Sequence, residues 1–119
     1  MNDERDDLRS RTKAFALRII KLYESLPRSG FGHVLGHQLL RSGTSVGANF
    51  REAHRARSNT EFISKVGDSL KELEETAYWL ELLRDSGAVK AAKLSALLDE
   101  TSQLTAILTA ISKKVRSRT

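Results

Sequence analysis

The sequence predicts an all-α protein, an antiparallel up-down-up-down four-helix bundle in which residues 1–119 form a single domain. The 119 residues include only one proline, so long uninterrupted helices are expected. Apolar residues recur every three or four positions along four separate stretches, which is the period of a helix. No stretch alternates β-branched and polar residues as a half-buried strand would.

Helix one is expected from about Asp3 to Leu26. Asn2 or Asp3 can cap its start, and the acidic first turn suits the positive end of the helix dipole. Its apolar face is Leu8, Thr12, Phe15, Ile19, Leu22 and Leu26. Pro27 and Gly30 then predict a tight connection.

Helix two, expected over residues 31–57, contains Gly43 and Gly47 one turn apart. Each glycine costs about 1 kcal/mol of helix stability relative to alanine, which predicts a close approach to a neighbour or a bend. Polar residues on or beside its apolar face are Gln38, Ser42, Ser45 and Asn49. We expect a buried polar layer around Ser45 and Asn49, closed by the two glycines.

Helix three begins with a capping box, in which Ser58 accepts from the Glu61 amide and Glu61 reaches back. It is expected to run to about Ser86, with Gly87 as a left-handed stop. Its apolar face is Phe62, Val66, Ser69, Leu73, Thr76, Leu80 and Leu83. Helix four is expected over residues 89–116, with the face Leu94, Leu97, Thr101, Leu104, Leu108, Ile111 and Val115.

Composition favours a cytoplasmic protein that does not enter a membrane. Cysteine is absent, so neither disulfides nor thiolate metal sites are expected. The first ten residues are acidic and polar, unlike a signal peptide, and no apolar run approaches the roughly 18 residues of a membrane span.

We expect no catalytic site, metal site, cofactor or small-molecule substrate. Di-iron bundles need a Glu-x-x-His motif, and none of His33, His37 and His54 follows a glutamate by three positions. His33 and His37 are one turn apart and could share a metal, but the sequence shows no third ligand. The glutamates of helix three are expected to be solvated or to pair with arginines such as Arg41.

Charge is unevenly distributed along the chain. Residues 1–57 contain eleven Lys and Arg against six Asp and Glu, residues 58–87 three against seven, and residues 88–119 six against two. The three segments therefore carry net charges of +5, −4 and +4. The cations either pair with the acidic third helix or form a phosphate-binding face. The candidate phosphate contacts are Arg11, Arg18, Lys21, Arg41, Arg51, Arg55 and Arg57, assisted by Lys113, Lys114 and Arg116.

Some apolar residues remain outside the predicted core faces. Ile20 and Tyr23 lie on one flank of helix one, and Trp79 and Leu82 lie beside the apolar face of helix three. They either widen the core or contact another subunit, and both interpretations stay open.

Two parts of the sequence carry a family resemblance. The pattern in helix two is Gln38, Arg41, Ser45, Asn49 and Glu52. Together with SNTEFISKV at residues 58–66 and LKELEETAYWLELL at residues 70–83, it resembles the four-helix-bundle family of the 23S rRNA intervening-sequence protein. The similarity spans about residues 11–116. It departs at Gly47, where many members carry proline, and at residues 50–53, where members often have a glycine.

The resemblance implies a homo-oligomer, a ring-shaped pentamer, with Ile20, Tyr23, Trp79 and Leu82 as candidate interface residues. Members of the family are encoded within intervening sequences of ribosomal RNA genes, and accessory proteins of diversity-generating retroelements are similar in build. The implied function is noncatalytic binding of nucleic acid, with RNA preferred. The alternative is an oligomeric scaffold or adaptor whose basic face docks an acidic protein.

Overall fold

The computed structural model describes residues 3–119, and these form four helices joined by short connections. The helices are α1 (Asp3–Glu24), α2 (Gly30–His54), α3 (Asn59–Asp85) and α4 (Ala91–Arg116). The predicted all-α four-helix fold is therefore confirmed. The proposed cap Asn2 lies outside the described residues, and so does the side chain of Asp3.

Local signals fix most helix ends. The Ser58 hydroxyl accepts from the Glu61 amide at 3.0 Å, although Glu61 makes no return bond within residues 3–119. Gly87 has a φ of 80°, as predicted for a left-handed stop, and Gly30 has a φ of 75° at the start of α2. Helix α2 ends at His54, earlier than expected. The amides of Arg55 and Ala56 bond carbonyls three residues back, those of Glu52 and Ala53, so the chain closes in a tighter turn.

Helices α1 and α2 are antiparallel and approach closely at glycines. A Cβ atom added to Gly43 would lie 2.7 Å from Ile19 Cγ1, and one added to Gly36 would lie 2.9 Å from Leu26 Cδ1. In these contacts a later residue of α1 meets an earlier residue of α2, which shows that the two helices are antiparallel. The expected close approach at the mid-helix glycines is confirmed at Gly43, where only hydrogen fits without movement of Ile19.

Helices α2 and α3 are antiparallel and share buried hydroxyl groups. The Ser42 and Thr76 hydroxyl oxygens are 2.9 Å apart, and the Ser69 hydroxyl donates to the Val46 carbonyl at 2.9 Å. Ser42, Ser69 and Thr76 are completely buried. Because each makes a hydrogen bond, this polar layer meets the requirement of buried polar groups for partners.

The predicted centre of the polar layer was wrong. Ser45 and Asn49 are only half-buried, Gln38 is exposed, and Ser45 bonds a carbonyl of its own helix. The layer lies around Ser42, because Ser45 and Asn49 are rotated towards the outer flank of α2. The glycines do not close it, since they face α1 while the hydroxyl groups face α3.

The predicted apolar faces of α1, α3 and α4 form the core. All of their residues are buried except the half-buried Leu22. Helix α2 adds Leu39, Val46, Phe50 and Ala53 to the same core. The bundle measures 47 × 20 × 19 Å. Within residues 3–119, no helix combines the length and apolar character needed to cross a membrane.

Candidate nucleic-acid interface

Arg11 joins α1 to α4 and is already occupied. Its Nε donates to Glu100 Oε2 at 2.8 Å, and its Nη2 donates to Glu100 Oε1 at 2.7 Å and to Gln103 Oε1 at 2.9 Å. Hydrogen bonding from Arg11 lowers the pKa of Glu100 below its ordinary value. This bidentate ion pair neutralises the charge of Arg11, so a phosphate would have to compete with the Glu100 carboxylate for the guanidinium.

Arg41 joins α2 to α3 in a similar way. Its guanidinium donates to Glu72 at 3.2 Å and also contacts the Glu75 carboxylate. The expected pairing of helix-three glutamates with Arg41 is therefore confirmed. Two carboxylates, those of Glu72 and Glu75, lie beside the Arg41 guanidinium. Their negative charges would repel a phosphate, so Arg41 is a poor phosphate contact.

A cation-lined groove lies between α1 and α4, which pack less extensively than the other neighbouring helix pairs. Arg18 and Lys21 line it from α1, and Lys93 lines it from α4. The remaining lining residues of this cationic groove are Leu22, Ser25, Ala96 and Leu97, and its volume is about 380 Å³. No carboxylate lines the groove itself, although Arg18 also interacts electrostatically with Glu100 outside it. The groove therefore offers a positively charged surface to an anion.

Lys93 was missing from the sequence-based candidates, although a signal for it exists. Lys93, Leu97 and Glu100 are spaced by four and three residues, which places them on one flank of α4. Glu100 pairs with Arg11 of α1, so that flank faces α1. The sequence alone does not show which neighbour a flank faces, and Lys93 was therefore not connected to Arg18.

The other six candidates lie at the opposite end of the bundle. Arg51 lines a second, smaller cavity of about 310 Å³, together with Asp6, Arg9, Ser10 and Lys13. Five further candidates are exposed near the ends of α2 and α4, namely Arg55, Arg57, Lys113, Lys114 and Arg116. The ten predicted contacts thus divide into two paired arginines, two groove residues and six residues at the far end.

Residues 5–110 match the family model described as 23S rRNA-intervening sequence protein. The chain belongs to this family. A crystal structure of a protein of unknown function from the S23 ribosomal protein family of Bacteroides thetaiotaomicron is similar, with 36% sequence identity and a TM-score of 0.87. The similarity covers 92% of this chain and 98% of that one. None of the curated proteins matches the chain.

In this member of the intervening-sequence protein family, the four predicted interface residues differ in exposure. Ile20 is 38% exposed, whereas Tyr23, Trp79 and Leu82 are half-buried. Trp79 packs against the core, and its buried indole nitrogen has no hydrogen-bond acceptor within residues 3–119. Of the four, Ile20 is the one that offers a large exposed apolar surface.

Four apolar side chains with a greater exposed fraction than Ile20 were not predicted. These are Leu17, Phe31, Val34 and Tyr78, each more than half exposed. They lie on the outer sides of their helices, where the heptad pattern expects polar residues. A search for apolar residues at outer-face positions would have found them.

No three His, Asp or Glu side chains within residues 3–119 are close enough together to hold a metal ion. The charged features of the described surface in this family member are the cationic groove, the far-end cations and the acidic third helix.

Proposed function

We propose that the protein is a noncatalytic RNA-binding homo-oligomer whose cationic groove holds the phosphate backbone. The observation that supports this is the convergence of Arg18, Lys21 and Lys93 on a groove without a carboxylate. The description of the family refers to 23S rRNA, which favours RNA over an acidic protein as the ligand.

The chemistry of the groove suits a polyanion. Lys and Arg side chains neutralise phosphates and release condensed counterions, which supplies affinity without reading sequence. Few aromatic side chains could stack on bases, since Phe15, Phe50 and Phe62 are buried in the core and the exposed Phe31 and Tyr78 lie outside the groove. Binding should therefore depend on charge and shape, unlike that of single-strand binders built on aromatic platforms.

Assembly would multiply the groove. The exposed apolar residues Leu17, Phe31, Val34 and Tyr78 support contacts between copies of the chain, and Ile20 lies one turn from Leu17 on α1. A ring of five subunits would present five cationic grooves to one RNA. Linked sites raise avidity without any new type of contact.

The experiment is a salt titration of binding to a labelled RNA stem-loop. The parent should bind at about 0.15 M salt, and its affinity should fall steeply with added salt. The triple variant Arg18→Gln/Lys21→Gln/Lys93→Gln should bind more weakly, and its log–log salt slope should be shallower by about one per lost contact.

The matched control is a single exposed lysine outside the groove. Lys21→Gln and Lys71→Gln remove the same charge, but Lys71 lies on the acidic third helix. If both changes weaken binding equally, the RNA responds to net charge and the groove is not its site. If the parent does not bind RNA, the scaffold interpretation with an acidic protein partner replaces the proposal.

Light scattering tests the assembly separately. The proposed pentamer has a mass of about 66 kDa, five times the 13.3 kDa of the chain. Leu17→Glu/Ile20→Glu should shift it towards the monomer, because two buried apolar contacts would become charged. A parent mass near 13.3 kDa would contradict the assembly and leave the groove test unaffected.

A further inference from the structure

Two histidines and a tyrosine meet where α1 and α2 are connected. His33 and His37 lie one turn apart on α2, and their Nε2 atoms are 3.2 Å apart. The Tyr23 hydroxyl of α1 is 3.2 Å from the same His37 Nε2 atom. The imidazole rings are nearly perpendicular, at 82°, with their centroids 4.5 Å apart. One potential ligand atom from each of His33 and Tyr23 therefore lies 3.2 Å from His37 Nε2, which is itself a potential ligand.

Hydrogen bonding does not account fully for this cluster. An imidazole nitrogen carries either one proton or one lone pair, so His37 Nε2 cannot make two good in-plane bonds at once. It nevertheless has both His33 Nε2 and the Tyr23 hydroxyl at 3.2 Å, the long end of the normal range. Each contact can be a hydrogen bond only at the expense of the other.

The spacing of the two nitrogens fits a shared metal ion. Zinc–nitrogen bonds of about 2.0–2.1 Å at a tetrahedral angle place two ligand nitrogens about 3.3–3.4 Å apart. Neutral imidazole is a preferred ligand of zinc, copper and nickel. The observed 3.2 Å between the Nε2 atoms of His33 and His37 is close to this spacing, and a rotation of the imidazole rings would direct both lone pairs at one ion.

We propose that His33 and His37 form a two-histidine clamp for a divalent transition metal ion, with the phenolic oxygen of Tyr23 as the third donor atom. The clamp opens beside a cavity of about 530 Å³ that Tyr23, Glu24, Arg28 and His33 help to line, so water can complete the coordination. One carboxylate and one guanidinium line this cavity, and their charges oppose each other.

This proposal revises the sequence-based expectation of no metal site. That expectation rests on the lack of a third ligand that the sequence makes evident beside His33 and His37. Tyr23 lies on α1, ten residues before His33, and joins the cluster only because the turn at Pro27 folds the two helices together. A bound ion would consequently tie α1 to α2 across their connection.

Calorimetric titration of the untagged full chain with Zn²⁺ tests the clamp. One ion should bind per chain, and His33→Asn and His37→Asn should each weaken binding at least tenfold, since each removes one of two nitrogen ligands. Tyr23→Phe should weaken it less, by about two- to tenfold. His54→Asn removes the remaining histidine, which lies at the other end of α2, and should leave binding unchanged.

A thermal melt of each variant in EDTA checks that the fold survives. Added Zn²⁺ should then raise the melting temperature of the parent and of His54→Asn, and leave His33→Asn/His37→Asn where it was. Absence of binding below millimolar Zn²⁺, or equal affinity in the parent and the double variant, would overturn the proposal. The first result would mean that the cluster is only a strained hydrogen-bond set, and the second that zinc binds elsewhere.

Discussion

Helix α2 packs against α1 on one side and against α3 on the other, and the two contacts are made in opposite ways. Towards α1, the helix removes side chains, and Gly43 lets the backbone rest directly on Ile19. Towards α3, it keeps side chains and joins them by hydrogen bonds, as between Ser42 and Thr76. The contact between α1 and α2, the first seam, depends on steric fit. The contact between α2 and α3, the second seam, depends on satisfied polar groups.

The two seams therefore tolerate different kinds of substitution. A seam closed by glycine has no room for added volume, because packed interiors are as dense as organic crystals. A seam closed by hydroxyl groups has room for a methyl group in place of an oxygen, but it cannot leave one hydroxyl without its partner. Volume changes should therefore be worst on the α1 side, and polarity changes worst on the α3 side.

The largest effect is expected from Gly43→Ala. Its Cβ would lie 2.7 and 2.8 Å from Ile19 Cγ1 and Cγ2, and Ile19 is completely buried and branched at Cβ, so it cannot turn aside. We expect a loss of about 2 kcal/mol in the free energy of unfolding, even after the gain of about 1 kcal/mol from helix propensity. Urea unfolding followed by circular dichroism measures it.

Gly67→Ala is the matched control. Gly67 also lies within a helix, but a Cβ added there meets no atom within 4 Å. This variant should gain up to about 1 kcal/mol. In an Ile19→Ala background, Gly43→Ala should lose much of its cost, because the clashing atoms are gone. Equal effects at the two glycines would contradict a steric role for Gly43.

Periodicity and capping predicted those features that are local to one helix. The core faces of α1, α3 and α4 follow from heptad spacing, and the Ser58 cap follows from four adjacent residues. What the sequence could not supply is which neighbour each flank of a helix faces, since that depends on the direction in which the bundle turns. For this reason the sequence predicts a buried polar layer around Ser45 rather than Ser42, and it does not connect Lys93 to Arg18.

The next largest effect is expected from Thr76→Val on the α3 side. The Ser42 hydroxyl would lose its 2.9 Å partner and keep only a longer contact of 3.3 Å to the Leu39 carbonyl. We expect a cost of about 1–2 kcal/mol, because a buried hydroxyl is left poorly satisfied. Adding Ser42→Ala should recover part of it, since both polar groups are then absent.

Thr44→Val provides the comparison for this seam. Thr44 is half-buried on the outer side of α2, and its hydroxyl bonds the Leu40 carbonyl of the same helix. Its replacement should change the free energy of unfolding by no more than about 0.5 kcal/mol. If Thr44→Val costs as much as Thr76→Val, the hydroxyl pair between α2 and α3 has no special part in closing the seam.

The smallest expected effect concerns a third seam, between α1 and α4, which is closed by charge. Arg11 holds Glu100 by two hydrogen bonds, and this lowers the pKa of Glu100. A group whose pKa is lowered on folding stabilises the protein above its ordinary pKa, about 4.3 for glutamate, and the contribution disappears as the pH falls through the lowered value. Arg11 is one-third exposed, so solvent screening limits the pair to about 1 kcal/mol.

Glu100→Gln should therefore lower the free energy of unfolding by about 1 kcal/mol at pH 7 and by progressively less below about pH 4. Unfolding curves at both pH values measure the difference between variant and parent. Glu74→Gln, at an exposed position of α3, removes the same charge away from Arg11 and Gln103 and should show little pH-dependent difference. A Glu100→Gln deficit that stays constant between pH 7 and pH 3 would mean that α1 and α4 are held by packing, as α1 and α2 are, and that charge contributes nothing to their contact.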